Sequence, residues 1–196
     1  MFNKLLDLII LNAHREKLDT CELQFGFKSK HSTTQCTFVL NEVAQYYTNH
    51  NTSVFVMLPD CSKAFDRVEY VKLFALLRKR GICPIIIRLL LFTYINQSLC
   101  VSWGRKFSRD FSVSNGVKQG GILSPVLFTV YINVLLTRLK DSGVGCYIGT
   151  EYFGTLCYAD DIALLTPSVK ALKTMQSICD EFGDEYNVLI NATKIS

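Results

Sequence analysis

No CxxC pair occurs in this sequence, and its histidines and cysteines never come close enough along the chain to suggest zinc ligands, which argues against a structural zinc. No apolar run is long enough to cross a bilayer: the stretch from Pro84 to Ile95 is roughly a dozen residues and carries Arg88. The N-terminal MFNKLLDLIILNAHREK resembles a signal-peptide core, but Asp7 interrupts it and no small-residue cleavage site follows. Repeats, low-complexity tracts and linkers are also missing. Neither sign of charge dominates, since 21 Lys and Arg against 17 Asp and Glu leave +4, which permits a polyanionic partner without requiring one. What the chain does have is length and apolar content. Its 196 residues, 49% of them hydrophobic, suffice for a core and exclude a disordered linker. Eight cysteines (21, 36, 61, 83, 100, 146, 157 and 179) sit mostly in apolar runs, where a reduced cysteine behaves as a small hydrophobe. A reducing, intracellular setting is expected, with nucleus and cytoplasm undistinguished.

Leu5, Leu6, Ile9, Ile10 and Ala13 share one face of a first helix, with Lys4, Asp7 and Arg15 opposite. Ser32, Thr33 and Thr34 are placed to cap a second helix running through Phe38, Val39, Val43, Tyr46 and Tyr47. SVFVMLPDCSKAF begins as a buried strand, and Pro59 predicts its end or an edge, with Asp60 immediately after. Helices follow over Val68–Arg80 and Ile85–Tyr94, then a hairpin over Ser98–Val113 with a basic edge of Arg105, Lys106 and Arg109. NGVKQGGILSPVLF passes from a glycine-rich loop into a helix over Pro125–Leu139. TLCYADDIALL reads as a hairpin with acids at its turn, followed by a helix over Ser168–Phe182 and a last strand over Tyr186–Lys194. This order does not alternate strand and helix, so an α+β domain with an antiparallel sheet is expected.

Two adjacent carboxylates repel, and the commonest resolution is a solvated turn. Here, however, the flanking residues belong to strands that should be buried. With Asp60 at the end of another apolar strand, three acids would meet if those strands neighbour one another, and oxygen ligands of this kind suit hard divalent cations in displacement at phosphorus. Phe65 alone reads equally as core, Asp66 and Arg67 as a surface ion pair or a backbone brace, and Lys63 as a solvated charge or a phosphate contact.

DCSKAFDRV (60–68), NGVKQGGILSPVLF (115–128) and YADD (158–161) resemble, in that order, motifs A, B and C of reverse transcriptases. QFGFKSKHSTTQ (24–35) and EFGDEYNVLINATK (181–194) are similar to that family's flanking segments, nearest to the non-LTR, LINE-type retrotransposon enzymes. The resemblance spans roughly Gln24 to Lys194. It implies a right-hand polymerase palm on an antiparallel sheet (53–196) and partial fingers with a helical lead-in (1–52), the thumb being absent. It further implies an RNA-directed DNA polymerase core that adds a dNTP to the 3′-hydroxyl of a DNA primer on an RNA template. Asp60, Asp160 and Asp161, with the backbone carbonyl of Cys61, would hold two Mg2+ ions, for which Mn2+ could substitute. By the same resemblance, Phe65 would exclude a ribose 2′-hydroxyl. Gly116, Gln119, Gly120 and Gly121 would lie beside the incoming nucleotide, and Lys194 would protonate pyrophosphate. Lys28, Lys30, Arg105 and Lys106, with Arg109, are the candidate nucleic-acid contacts.

Three features depart from the family pattern, the mildest being Lys118 in VKQGG, where arginine or proline is common. Pro59 stands where an aliphatic residue is usual, which predicts a missing ladder bond and a poorly aimed Asp60. About two dozen residues precede Gln24 and two follow Lys194, so triphosphate-gripping fingers strands and a thumb are not expected. The alternative reading is therefore a catalytically inactive, nucleic-acid-binding remnant of a retrotransposon.

Overall fold

The structure, a computed structural model, describes residues 2–195, with side chains from 3 to 191. Two helices, α1 (Phe2–Ala13) and α2 (Arg15–Leu18), precede α3 (Thr33–Asn49) and the strand β1 (Phe55–Ser62). A 3-10 turn (Ala64–Arg67) leads into α4 (Tyr70–Lys79) and α5 (Pro84–Ile95). Four short strands follow, β2 (Ser98–Leu99), β3 (Ser102–Trp103), β4 (Lys106–Phe107) and β5 (Phe111–Ser112), and then α6 (Ser124–Asp141). The chain closes with β6 (Tyr147–Ile148), β7 (Glu151–Tyr152), β8 (Thr155–Tyr158), β9 (Asp161–Thr166), α7 (Val169–Tyr186) and β10 (Leu189–Ile195).

Four strands form one antiparallel sheet in the order β10-β1-β9-β8. Both of its faces are buried for part of their extent. Ile162 and Leu164 of β9 and Met57 of β1 join α6 and α7 in the main core, whereas the intervening Ala163 and Leu165, with Val56, pack against Val39, Leu40 and Val43 of α3. That two-sided cover explains why ALL (163–165) reads as an unbroken apolar run. Cover on the α3 side stops short: Leu58 is 47% exposed and Asp60 is exposed, although Met57, Pro59 and Cys61 alternate with them as buried residues.

Most predicted elements are present. Ser32 forms a reciprocal capping box with Gln35 at the start of α3, and the Ser168 side chain accepts from the Ala171 N–H at the start of α7. The 98–112 hairpin is two nested pairs, β2 with β5 and β3 with β4, rather than one ladder.

Three expectations need correction. In α1, Leu6, Ile10 and Leu11 pack against the core, whereas Leu5 and Ile9 of the expected apolar face are each 56% exposed. Adjacent apolar pairs made the stripe wider than the surface that covers it. α7 runs to Tyr186, where the last strand was expected to begin, and Asn187 in the left-handed region (φ 54°) ends it. Pro59 neither ends β1 nor marks the edge of the sheet, because β1 continues to Ser62 as an inner strand. The physical reason is local. Pairing with β9 stops at Met57, and the β10 register is irregular between Met57 and Pro59, so the proline falls where the ladders already give way.

Candidate active site

The acids are positioned by the part of the sheet that α3 leaves bare. Asp60 shares the Leu58 face of β1, and its carboxylate accepts a bond of 2.8 Å from the Ser62 hydroxyl, which in turn accepts one of 3.2 Å from the Asn191 amide. Tyr158 pairs with Asp161, leaving Ala159 and Asp160 as a two-residue turn between β8 and β9. Ala159 occupies the left-handed region at φ 61°, where hairpins of this length usually carry glycine. Holding an alanine there costs about 1–2 kcal/mol.

The three acids act on one another. Burial raises the Asp160 carboxyl above its ordinary range, and the charges of Asp161 and Asp60 push it the same way. The Cys61 thiol is pushed up to about 12, first by burial and then by Asp160, Asp60 and Asp161. No Lys or Arg forms an ion pair with any of the three among the described residues. Among the described residues the site is thus a cluster of acids with no directly paired cation.

Beside it lies a cavity of about 390 Å³, bordered by Lys63, Phe65, Lys118, Gln119, Gly120, Gly121 and Asp160 among others. That volume lies within the usual range for small-molecule pockets. Phe65 stacks on Phe128 of α6, ring centroids 4.2 Å apart, and meets Phe27 edge-on at 6.3 Å. Core contact and cavity wall are two sides of one half-buried ring. The loop leading to α6 is tied to the segment after β1: the Gly116 and Val117 N–H groups donate to the carbonyls of Val68 and Phe65, each at 2.9 Å. A Cβ on Gly116 (φ 88°) would stand 2.9 Å from the Asp66 backbone, so only glycine allows this approach. Gln119 donates to the Asp66 carboxylate at 3.3 Å, while Arg67 turns to Asn187; the Asp66–Arg67 ion pair considered from sequence does not form. Lys118, which in sequence reads only as a variant loop residue, has its ammonium 4.8 Å from the Tyr94 ring centre, and burial lowers its pKa.

Lys28, Lys30, Arg105, Lys106 and Arg109 do not line this cavity. Lys28 donates to the carbonyls of Thr20 (2.6 Å) and Cys21 (2.8 Å), so its ammonium braces a loop instead of facing solvent. Lys30 is exposed at φ 65°, and Arg105, Lys106 and Arg109 are exposed on the 98–112 hairpin. Lys194 lies in β10, with its side chain outside the described residues. A larger groove, about 480 Å³, is lined by Leu11, Arg15, Asp19, Phe27, Lys28 and Val126 among others; none of the three acids borders it.

The profile of the family described as "Reverse transcriptase (RNA-dependent DNA polymerase)" matches residues 1–196. The chain belongs to the reverse transcriptase family. Among similar proteins, the Pol polyprotein of the type-2 retrotransposable element R2DM of Drosophila melanogaster is 26% identical over 96% of this chain and 18% of its own length. The RNA-directed DNA polymerase from mobile element jockey of the same organism is 30% identical over 97% of this chain and 21% of its own length. This reverse transcriptase chain therefore spans about a fifth of those relatives. Among solved structures, telomerase from Candida albicans superposes with a TM-score of 0.68 at 12% identity, over 99% of this chain and 33% of that one. Apo telomerase from Candida tropicalis does so with 0.68 at 16%, over 98% and 39%. These likenesses establish the fold.

Reverse transcriptases use divalent metal ions, and the donor set here has the matching chemistry: three carboxylates, hard oxygen ligands, with no cation paired to them among the described residues. No cluster of three His, Cys, Asp or Glu side chains is close enough to form a ready-made cage among the described residues. Mg2+ commonly takes one or two carboxylates and completes its shell with water and substrate phosphate, so the arrangement fits without such a cage.

Proposed function

We propose that this chain is the palm of an RNA-directed DNA polymerase, extending a DNA primer on an RNA template with deoxynucleoside triphosphates. The observation that carries the reading is that Asp60 on β1 and Asp161 at the start of β9 lie near enough to Asp160 for their charges to act on it, while Asp160 in the turn borders a nucleotide-sized cavity. Asp60, Asp160, Asp161 and the Cys61 carbonyl would hold two divalent ions, Mg2+ or Mn2+. When bound, such ions supply Lewis acidity for attack of the primer 3′-hydroxyl on the α-phosphate and for departure of pyrophosphate.

The remaining roles belong to the chain. Lys63 and Lys118 border the cavity as cations for the triphosphate. Phe65 forms a wall fixed by stacking on Phe128, and a rigid ring beside the sugar discriminates against a 2′-hydroxyl better than a mobile one. Gly120 and Gly121 let backbone approach the base, and Gln119 is steadied by Asp66. Lys194 is assigned the general acid for pyrophosphate. Lys30, Arg105, Lys106 and Arg109 contact template or primer phosphates.

Primer extension on poly(rA)/oligo(dT) with Mg2+ tests the reading, with Asp160→Asn as the comparison. The parent chain is expected to extend, and the variant to lose about a thousandfold, the equivalent of several kcal/mol of metal-derived charge stabilisation. Salt-dependent primer-template binding that survives Asp160→Asn, with no extension by either protein, would establish the inactive remnant instead.

A further inference from the structure

A strained alanine carries the acid that the proposed chemistry depends on most, and the chain supplies a device to hold it. Residues 23–26 run alongside β8: Cys157 donates to the Leu23 carbonyl at 2.8 Å, Phe25 donates to the Cys157 carbonyl at 2.7 Å, and Gln24 forms a parallel bridge with Cys157. This places the Gln24 side chain, wholly buried, directly beneath the turn. Its Oε1 accepts from the Ala159 N–H at 2.9 Å and from the Gly26 N–H at 2.8 Å. Its Nε2 donates to the Ala159 carbonyl at 3.2 Å and to the Cys157 sulfur at 3.1 Å. The orientation of the amide is fixed by these partners, because a flipped NH2 would face two N–H donors.

Ala159 is thus gripped at both its N–H and its C=O, the two groups that bracket the left-handed φ of 61°. Gly26 completes the cradle. A Cβ there would lie 2.3 Å from the Ala159 nitrogen and 3.0 Å from its Cα, so the turn could not seat against any larger residue. Gln24 and Gly26 of QFGF therefore have a shared physical role about 135 residues upstream of the acids they serve.

We propose that Gln24 is the positioning residue of the acidic turn: its buried carboxamide holds Ala159 in the left-handed conformation and thereby aims Asp160. Gln24 touches neither nucleotide nor metal in this role, and the proposal rests on the reading of Asp160 as a metal holder. A surrounding group that orients a ligand commonly influences affinity by roughly 10- to 100-fold.

Mn2+ affinity of the full chain, read by EPR titration of the free ion, tests this. Gln24→Met is expected to weaken Mn2+ binding at least tenfold. Adding Ala159→Gly should restore most of that loss, because glycine adopts a positive φ without help. A general packing defect at Gln24 would not be repaired by a change in the turn. A folded Gln24→Met protein with parental Mn2+ affinity, or a double variant no better than Gln24→Met, overturns the proposal. Amide exchange on the parent protein keeps the test open should Gln24→Met fail to fold: the Ala159 N–H is expected to be strongly protected despite its place in a tight turn, and free exchange there overturns the proposal equally. A parent chain that takes up no Mn2+ overturns the metal reading and this proposal with it, whereas parental binding left unmoved by Gln24→Met overturns the proposal alone.

Discussion

Pro59 shows how one residue can look damaging in sequence and be accommodated in the fold. Read along the chain, it removes a donor from a central strand one residue before Asp60. In the sheet it sits where pairing with β9 has ended and the β10 register is irregular, so little bonding is forfeited. What remains is its restriction of the unfolded chain, worth about 0.4–1 kcal/mol in favour of folding when the native backbone suits proline. Pro59→Leu is accordingly expected to lower the melting temperature by about 1–4 °C, the reverse of the gain a broken ladder would predict, as measured by circular dichroism. A rise would show that the ring strains β1. A strand end and a turn are local signals, so the positions of the three acids could be read from the chain, but that they meet at one site was implied only by the resemblance to the family. Gln24 was not legible, because the need for its amide arises only when β8 arrives beside it, from a distant stretch of sequence. The resemblance marked QFGF as a family segment without giving Gln24 a role, and Ala159 stands where such a turn favours glycine.

At the scale of elements, legibility followed capping and turn chemistry. Ser32 with Gln35 and Ser168 with Ala171 mark helix starts using side chains that bond their own backbone neighbours, and both helices begin there. The buried half of α1 was not legible, since its apolar residues form a broad stripe and only tertiary packing selects Leu6 and Ile10 from it. The 98–112 hairpin was recognisable but its division into two short ladders was not. It presents Trp103 (86% exposed), Arg105 and Lys106 close to the tip, the combination of ring and cation that suits a nucleic-acid strand. Replacing Arg105 and Lys106 by alanine is expected to weaken primer-template binding and to reduce the slope of log K against log salt by about one for each phosphate these side chains neutralise. Fluorescence anisotropy between 50 and 200 mM salt, roughly the range over which such slopes are read, provides the measurement. An unchanged slope would remove the hairpin from the binding surface.

For the molecule as a whole, burial of thiols and phenols ties stability to alkaline pH. Burial raises Cys146 to about 11 and Cys179 to about 12, and it raises Tyr131, whose hydroxyl donates to the Tyr186 carbonyl, to about 12. In the unfolded chain the thiols ionise near 9.0 and the phenol near 10.0. Because the folded values are the higher, this stabilisation is complete below about pH 9 and is lost as pH rises toward the folded values. The urea midpoint should therefore fall steadily from pH 8.5 to about 11, and a flat profile would mean that these groups are reached by water. The same sheet contains an opposing demand. Were helical cover to extend past Val56 over Leu58, more apolar surface would be buried and the protein would tolerate more heat, yet the acids would be sealed from any chain of nucleotides. Screens that reward thermal tolerance alone should therefore accumulate substitutions that cap this bare patch, giving hardier proteins whose acids are closed off.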